Sequence, residues 1–317
     1  MMLRELEYNA QRKANRYAGR NEEKLTHMID LYSHETIREL KRKFGFRFSE
    51  SLGQNFLTDR EAIGNIVAGS GISEDDLVIE IGPGIGSLTA AAADKAKKVI
   101  SIEIDIGLMP ILAFTLRDYD NIVTINEDIL KTDLNALISE QRRIEYYDAV
   151  RIIGNLPYYI TTPILMKLLE ERINAESITA MVQKEVAERI ASPPGSRIYG
   201  ALSVAVQYYT EPAIIMEVPR EKFIPVPKVD SAVINMKLRD EPPVKLADEE
   251  LFFRVIKAGF GQRRKTLLNS LHTLGISKAD INACLGNLGI DSRRRAETLS
   301  IDEFAAIANR FADDRGQ

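Results

Sequence analysis

The chain has 317 residues, 45% hydrophobic and 28% charged, enough for one large or two modest globular domains. No apolar run approaches the roughly 20 residues that a membrane helix needs, and the polar N-terminus does not resemble a secretory signal. A single cysteine, Cys284, excludes an internal disulfide, and three scattered histidines form no metal-ligand cluster. The composition therefore predicts no metal site and a reducing, cytoplasmic location.

The net charge of −4 is unevenly distributed along the chain. Residues 1–48 and residues 251–317 each contain 11 basic and 7 acidic side chains, so the middle of the chain is strongly acidic. Basic ends around an acidic centre are compatible with RNA contacts at both ends. Solvated helix faces explain either end equally well.

Secondary-structure patterns alternate along most of the chain. Residues 1–48 have the pattern of one or two polar helices. Helices are then predicted at 60–72, 86–96, 107–119 and 161–172, and strands at 76–82, 98–105, 121–130 and 147–157. Residues 178–190 read as a strand leading into a helix, and the Pro-rich segment 218–244 holds one strand at 229–238. Residues 248–312 are predicted to be helical.

This alternation predicts an α/β fold, with a parallel sheet covered by helices on both faces and a small helical C-terminal domain. We place three domains along the chain: a mostly helical N-terminal extension at 1–44, a catalytic domain at 45–243 and the helical C-terminal domain at 244–317. In such sheets ligands bind at the carboxyl ends of the strands. The candidate functional residues are therefore sought at those ends.

A glycine loop, Gly82, Gly84 and Gly86, joins the first of these strands to a helix. Glycine permits positive φ and close approach of a ligand, and the helix amides favour an electron-rich group. The spacing G-x-G-x-G after Glu80 differs from the G-x-G-x-x-G of dinucleotide sites. It looks like the S-adenosylmethionine loop of Rossmann-like methyltransferases, although a glycine-rich turn without a ligand is the alternative.

Two further strand ends support a nucleoside cofactor. Glu103 ends the next strand about twenty residues beyond the loop, where a carboxylate accepts hydrogen bonds from ribose hydroxyls. Asp128 follows the third strand and is placed to accept from an adenine amine. Three consecutive strand ends with nucleoside contacts predict S-adenosyl-L-methionine as the cofactor and a Rossmann-like methyltransferase sheet.

The fourth strand end, Asn155-Leu156-Pro157-Tyr158, suits methylation of the exocyclic amine of adenine. The Asn155 side-chain oxygen and the Leu156 carbonyl would accept hydrogen bonds from the two N–H groups and aim the nitrogen lone pair at the methyl group. Pro157 favours the extended backbone of Leu156 that this requires. Tyr158 offers a face for the base, whereas Tyr159 is expected in the core. Catalysis then rests on positioning and charge stabilisation.

A base must leave its stack to reach such a site. A second aromatic ring would complete a sandwich around it, and Phe223 is the candidate, with Pro225 and Pro227 stiffening its loop. Core packing under the loop is the alternative for Phe223.

Nine segments resemble the ribosomal RNA adenine N6,N6-dimethyltransferases, most closely the small-subunit (16S) enzymes of bacteria. They span about residues 45–300 in the family's order: SLGQNFLTD, VIEIGPGIGSLT, ISIEID, NEDIL, IIGNLPYYITTPIL, MVQKEVAERI, YGALSVAVQYY, FIPVPKVDSAVI and FGQRRKTLLNSL. The resemblance implies dimethylation of two adjacent adenines near the 3′ end of small-subunit rRNA, within the 30S particle and as part of ribosome biogenesis. A monomer is expected.

The resemblance also implies roles for particular residues. Asn55 and Leu57 would cover the cofactor, which the residue pattern alone does not indicate. The C-terminal domain would help to hold the ribosomal particle. Its basic runs are candidate phosphate contacts, with ordinary exposed helix faces as the alternative: Arg263, Arg264 and Lys265, then Arg293, Arg294 and Arg295.

Two features depart from the family. About thirty residues precede its usual start, and we interpret them as a basic helical arm that touches RNA or protein. The sequence pI of about 5.7 is lower than that of many relatives, which argues against strong non-specific RNA binding.

Three alternatives remain at this stage. The nearest is an erythromycin-resistance-type methyltransferase acting on 23S rRNA, which shares the cofactor loop and an Asn-x-Pro-Tyr sequence. A non-catalytic assembly or transcription factor on the same fold is disfavoured by the intact Asn155, Pro157 and Tyr158. An NAD-dependent dehydrogenase is disfavoured by the glycine spacing.

Overall fold

The structure is a computed structural model that describes residues 29–49, 52–262 and 264–315. Most of the predicted N-terminal arm, residues 1–28, lies outside this part of the chain. The helices are α1 (His34–Phe44), α2 (Arg60–Ser70), α3 (Ser87–Ala93), α4 (Met109–Thr115), α5 (Leu134–Ile144), α6 (Thr161–Glu170), α7 (Lys184–Ala191), α8 (Ala201–Tyr209), α9 (Glu249–Gly261), α10 (Leu267–Leu271), α11 (Lys278–Asn287) and α12 (Ile301–Arg315). The strands are β1 (Phe56–Leu57), β2 (Leu77–Ile81), β3 (Lys98–Glu103), β4 (Ile122–Asn126), β5 (Val150–Asn155), β6 (Ser177–Gln183), β7 (Thr210–Val218), β8 (Phe223–Ile224) and β9 (Ser231–Leu238).

A seven-stranded sheet in the order β4-β3-β2-β5-β6-β9-β7 forms the centre of the fold. The strands from β4 to β6 are parallel to their neighbours, whereas β9 pairs antiparallel with β6. Strand β2 is buried along its whole length, as expected for a parallel strand covered on both faces. The predicted α/β, Rossmann-like fold is confirmed.

Two helices, α5 and α8, and three strands, β1, β7 and β8, were not anticipated from the sequence. Asp133 caps the N-terminus of helix α5, because its carboxylate accepts a hydrogen bond from the amide of Ala136. The helix buries residues at helical spacing, among them Leu134, Leu137 and Ile138. Helix α8 is apolar on most of its surface, so its amphipathic signal is weak, and β7 follows it directly. None of the helices in the described ranges is long and apolar enough to cross a membrane.

The chain divides into two compact units. The described residues up to Lys184 and the segment Ala213–Lys237 form the first, and Glu185–Pro212 with the chain from Leu238 onward forms the second. The predicted division at residue 243 differs because 185–212 packs with the C-terminal helices. Within the second unit, the Tyr208 and Tyr209 hydroxyls donate to the Glu249 carboxylate, and the Tyr209 ring stacks on Phe253.

In the first unit the strand order reverses beside β2, where β3 lies on one side and β5 on the other. This reversal opens a crevice at the carboxyl ends of the strands. Gly154 near the end of β5 makes the close approach to β2 possible, because a Cβ at that position would lie 2.6 Å from the carbonyl oxygen of Ile81. The glycine before Asn155 therefore fixes where the fourth strand end meets the glycine loop.

Gly154→Ala is expected to destabilise the protein by about 1–3 kcal/mol, because a backbone carbonyl cannot move aside as a side chain can. The free energy of unfolding in urea measures the effect. The matched control is Gly64→Ala in α2, where a Cβ meets nothing within 4 Å and the exposed helix should gain about 0.5–1 kcal/mol. Equal stabilities for the two variants would contradict the close approach.

Candidate active site

One cleft lies at the carboxyl ends of β2, β3, β4 and β5. Its walls come from the 52–57 segment, the glycine loop, the ends of β3 and β4, and the start of α6. The structure brings all the predicted cofactor residues to this cleft: Asn55, Leu57, Gly82, Gly84, Glu103, Asp128 and Asn155. The predicted catalytic residues Leu156, Pro157 and Tyr158 line it as well.

The glycine loop has the backbone that its sequence predicts. Gly82 and Gly84 have φ values of 72° and 61°, which L-residues with side chains rarely adopt. The amide of Gly82 donates to the carbonyl of Ile102 at 3.0 Å, which ties the loop to β3. The ring of Phe56 would lie 3.0 Å from a Cβ on Gly84, so the loop also packs closely beneath the 52–57 segment.

Glu103 ends β3 in a largely buried position. Its carboxylate accepts from the amide of Asp105 at 2.8 Å, and the amide of Gly84 approaches its other oxygen at 3.4 Å. Burial raises the pKa of Glu103 to about 7, an effect that these amides oppose. A ligand with hydroxyl donors would satisfy this carboxylate better than the two amides do.

Glu80, at the end of β2, is a second carboxyl group in the cleft, to which the sequence assigned no role. It is 1% exposed, and its Oε2 atom has no hydrogen-bond partner among the described residues. Burial, together with the charge of Glu103, raises the pKa of Glu80 to about 8. The signal was a charged residue inside the buried apolar strand LVIEI.

S-adenosyl-L-methionine carries a positive charge and ribose hydroxyls, so the surroundings of these two carboxyl groups show whether the cleft suits it. An orphaned buried carboxyl oxygen and an under-satisfied carboxylate beside a glycine loop fit such a group. Asp128, whose Oδ1 accepts from the amide of Leu130 at 3.0 Å, adds a third acidic side chain at the end of β4. The residues present therefore fit the cofactor that the sequence predicted.

Asn155 is held in one orientation by the opposite wall of the cleft. Its Nδ2 donates to the backbone carbonyl of Asn55 at 2.8 Å, so the side-chain oxygen is left as an acceptor, and none of the described residues donates to it. The amide of Leu156 donates to the carbonyl of Met181 at 3.1 Å, which keeps the chain in line with β6. The Pro157 carbonyl accepts from Ile160 and Thr161, where α6 begins.

The two tyrosines that follow are placed differently from each other. Tyr158 is half-buried in the cleft, and its hydroxyl lies 2.6 Å from the hydroxyl of Ser231, a fully buried residue at the start of β9. The prediction that Tyr159 lies in the core is wrong. Its side chain is 55% exposed and packs beside Gly53 at the mouth of the cleft.

Phe223 does not occupy the predicted position beside the target base. It is fully buried, pairs with Leu57 in the short β1–β8 ladder and belongs to the core cluster beneath the cleft. A ring in this position offers no free face to a base. Packing in the core, the alternative considered for this residue, matches the structure.

The basic runs of the second unit differ in availability. Arg264 and Lys265 are exposed, whereas Arg263 lies outside the described residues. Arg294 is not a free phosphate ligand, because its guanidinium forms a two-armed ion pair with Glu303 and donates to the Thr298 carbonyl. The exposed Arg293 is bound by both carboxylate oxygens of Asp291.

No group of three or more His, Cys, Asp and Glu side chains is arranged to hold a metal ion within the ranges that the structure describes. A Rossmann-like sheet with a glycine loop and carboxyl groups at three strand ends defines an S-adenosyl-L-methionine-dependent methyltransferase. The neighbouring Asn-Leu-Pro-Tyr sequence suggests an amine as the methyl acceptor.

Comparisons with known proteins agree with this class. A sequence model described as Ribosomal RNA adenine dimethylase matches residues 45–313. Proteins named Ribosomal RNA small subunit methyltransferase A are similar over most of the chain. That of Alkaliphilus oremlandii is 50% identical over 287 residues, 90% of this chain and 99% of the relative. That of Geobacillus thermodenitrificans is 51% identical over 284 residues, 88% of this chain and 96% of the relative.

Two solved structures share the fold of this chain. A dimethyladenosine transferase from Plasmodium falciparum shares the fold with a TM-score of 0.68 at 24% identity, covering 82% of this chain and 98% of its own. The 23S rRNA methyltransferase ErmE reaches a TM-score of 0.61 at 27% identity, covering 81% and 99%. The chain belongs to the ribosomal RNA adenine dimethylase family. It is a methyltransferase that uses S-adenosyl-L-methionine, as predicted.

The buried carboxyl of Glu80 predicts how stability depends on pH. Its pKa is about 8 in the folded protein against an ordinary value of 4.5. Between these values the folded state retains a proton that the unfolded state has lost, so stability falls as pH rises. Glu80→Gln removes this dependence. From pH 6 to pH 8 the variant should gain about 2 kcal/mol relative to the parent protein.

Urea unfolding without cofactor at several pH values measures this difference. Glu127→Gln, at an exposed carboxylate of the same cleft, is the matched control and should show no comparable trend. A stability difference between the Glu80 variant and its parent that stays constant with pH would contradict the assignment.

Proposed function

We propose that the protein dimethylates the exocyclic amines of two adjacent adenines near the 3′ end of small-subunit (16S) rRNA, as a step in ribosome biogenesis. The fixed orientation of the Asn155 carboxamide supports an amine as the methyl acceptor, and the similarity to small-subunit relatives supports the choice of substrate. The relatives that share half of their residues with this chain are named for the small ribosomal subunit.

In the proposed mechanism the protein holds the amine rather than deprotonating it. The nitrogen lone pair of adenine is delocalised into the ring, so the amine is a poor nucleophile. The Asn155 side-chain oxygen and the Leu156 carbonyl accept hydrogen bonds from its two N–H groups. This arrangement favours a tetrahedral nitrogen whose lone pair is aimed at the methyl group. Such positioning makes methyl transfer effectively unimolecular, because the two reacting groups are already held in the right geometry.

The cofactor, when bound, supplies a methyl group on a positively charged sulfur. We assign Glu103 to the ribose hydroxyls, Asp128 to the adenine amine and the Gly82–Gly84 loop to close backbone contact. Asn55 and Leu57 cover the site from the 52–57 segment. Glu80 is an addition to this set, since a positive charge bound beside it would lower the pKa of its buried carboxyl and favour the ionised form.

Tyr158 is assigned to the target base, and Ser231 to the position of the Tyr158 ring. The hydrogen bond between their hydroxyls fixes the ring against β9 without using its face. Tyr159 replaces Phe223 as the second aromatic residue that the base or its neighbours can reach, because its exposed ring lies at the cleft mouth.

A 23S rRNA methyltransferase is the nearest alternative. ErmE, which has that activity in its name, is 27% identical to this chain, against 50% for the small-subunit relatives. The identity difference favours the small-subunit substrate. The complete set of cleft residues argues against a purely structural assembly factor.

We propose further that the 30S particle is the form of the substrate that the protein binds in the cytoplasm, and that the protein acts as a monomer. We assign catalysis to the first compact unit and RNA or ribosome binding to the second. In the second unit, Arg264 and Lys265 remain candidates for phosphate contact because both are exposed.

Asn155→Ala is expected to lower the rate of methyl transfer by about 100-fold or more, because loss of one pre-oriented polar partner has that scale. The assay counts labelled methyl groups on under-methylated small subunits at saturating cofactor and maps the modified bases. The parent protein should place two methyl groups on each of two neighbouring adenines, and the exposed-site control Asn65→Ala should match it. Transfer to large-subunit RNA instead would refute the proposed substrate.

Tyr158→Phe and Ser231→Ala should each reduce kcat/KM for RNA by an amount that corresponds to about 1 kcal/mol. The double variant should lose little more than either single variant, because both changes break the same hydrogen bond. Tyr146→Phe, at an exposed tyrosine, is the control. Additive losses in the double variant would show that the two hydroxyls act separately.

A further inference from the structure

A second pocket in the first unit lies beside the candidate active site and has no role in the mechanism above. It is an open pocket of about 630 Å³ between the end of α1 and Pro225. We call it the α1 pocket and define it by Lys41, Arg42, Phe46, Arg47, Phe48 and Pro225. None of the described residues that line it is acidic.

The sequence explains how the pocket forms. Helix α1 ends at Gly45, which adopts a left-handed conformation with φ 67° and donates its amide to the Lys41 carbonyl. Beyond this turn, burial alternates from one residue to the next. Phe46 and Phe48 therefore pack inward, and Arg47 between them is exposed.

The positive charges of the pocket have no ion-pair partner within the part of the chain that the structure describes. No ion pair joins Lys41, Arg42 or Arg47 to an acidic side chain of the described residues. The Lys41 ammonium instead lies over the Phe48 ring, 4.3 Å from its centroid. The dipole of α1 accounts for basic residues in its last turn but not for Arg47, which lies beyond the helix.

The α1 pocket adjoins the cofactor cleft through a cluster of aromatic rings. The rings of Phe46 and Phe48 contact Phe56, at centroid distances of 6.2 and 5.4 Å, and Phe56 lines the cleft. On the other side, Ile224 pairs with Phe56, and Pro225 follows it. Packed aromatic rings therefore lie between the two pockets, with Phe46 and Phe48 lining one and Phe56 lining the other.

The same loop also leads from the α1 pocket to the proposed target-base position. Ser231, the partner of Tyr158, lies six positions after Pro225 in the chain, which limits their separation to about 20 Å. The loop exposes Val226 and Val229 along this path. An RNA strand with one base in the cleft has its next nucleotides within reach of the pocket.

We infer that the α1 pocket is an RNA subsite that binds a nucleotide flanking the target adenine. Lys41, Arg42 and Arg47 contact its phosphates, and the aromatic and proline surfaces contact its base or sugar. Cations interleaved with aromatic rings are the pattern by which proteins hold single-stranded nucleic acid. An extruded base also needs its strand held on both sides of the site. This inference rests on the proposed function.

The test replaces the two exposed arginines, as Arg42→Gln with Arg47→Gln, in the full chain. The KM for under-methylated small subunits should rise severalfold, while kcat and the affinity for S-adenosyl-L-methionine stay unchanged. The salt dependence of RNA binding should also weaken, by a slope of about 0.7 for each phosphate that the variant no longer neutralises. A purely structural role for the two arginines would leave the salt slope unchanged.

The matched control is Arg142→Gln with Arg143→Gln. These arginines are equally exposed and lie in the last turn of α5, which leads to the amino end of β5, the edge of the sheet opposite the cleft. An unchanged KM and salt slope in the pocket variant, with an active parent protein, would overturn the subsite and leave the proposed function standing. An inactive parent protein on small subunits would refute both.

A photocrosslinking residue at position 42 gives an independent readout that does not rely on loss of activity. A crosslink to a nucleotide within a few positions of the methylated adenines supports the subsite. A crosslink only to ribosomal protein, or only to residues 1–28 of the chain itself, overturns it, because either result assigns the pocket a different occupant.

Discussion

The hydrogen bond from the Asn155 side chain to the Asn55 carbonyl connects the two halves of the active site. Asn155 ends a central strand, and Asn55 belongs to a short segment before the first helix of the sheet domain, a hundred residues earlier. With its nitrogen occupied, the carboxamide presents its oxygen to the cleft. The chemistry proposed for the amine depends on that choice, because the opposite orientation would point a donor at another donor.

The same segment determines the limits of the cofactor cleft. Phe56 packs on Gly84, Leu57 pairs with Phe223, and the Asn55 carbonyl accepts a hydrogen bond from Asn155. Three consecutive residues therefore contact three different parts of the cleft. Beneath them two carboxyl groups are buried in a cleft that suits a positively charged ligand. Burying these carboxyl groups disfavours their charged forms, and this unfavourable free energy is the reason that their pKa values are raised.

The residues at strand ends could be predicted from the sequence because a parallel sheet places successive carboxyl ends along one edge. Glycine spacing, Glu103 and Asp128 needed no tertiary information. Glu80 was visible as a charge in an apolar strand, but its partnerless state depends on what surrounds it. The family resemblance, not the residue pattern, pointed to Asn55 and Leu57.

The aromatic and basic residues show what sequence could not determine. Tyr158 and Tyr159 both line the cleft, and the exposure of Tyr159 at its mouth depends on how α6 begins. Phe223 is buried by a strand of two residues, too short for an alternating pattern, that pairs with a segment far away in sequence. Arg294 is committed to Glu303 across a turn, a pairing that a basic run does not reveal.

The most direct measurement is a high-resolution structure of the protein with S-adenosylhomocysteine and adenosine in the cleft. The account predicts that Nδ2 of Asn155 stays bonded to the Asn55 carbonyl while its oxygen and the Leu156 carbonyl accept from the adenine amine, with the base against Tyr158. An amide turned the other way, with its nitrogen toward the base, would contradict it.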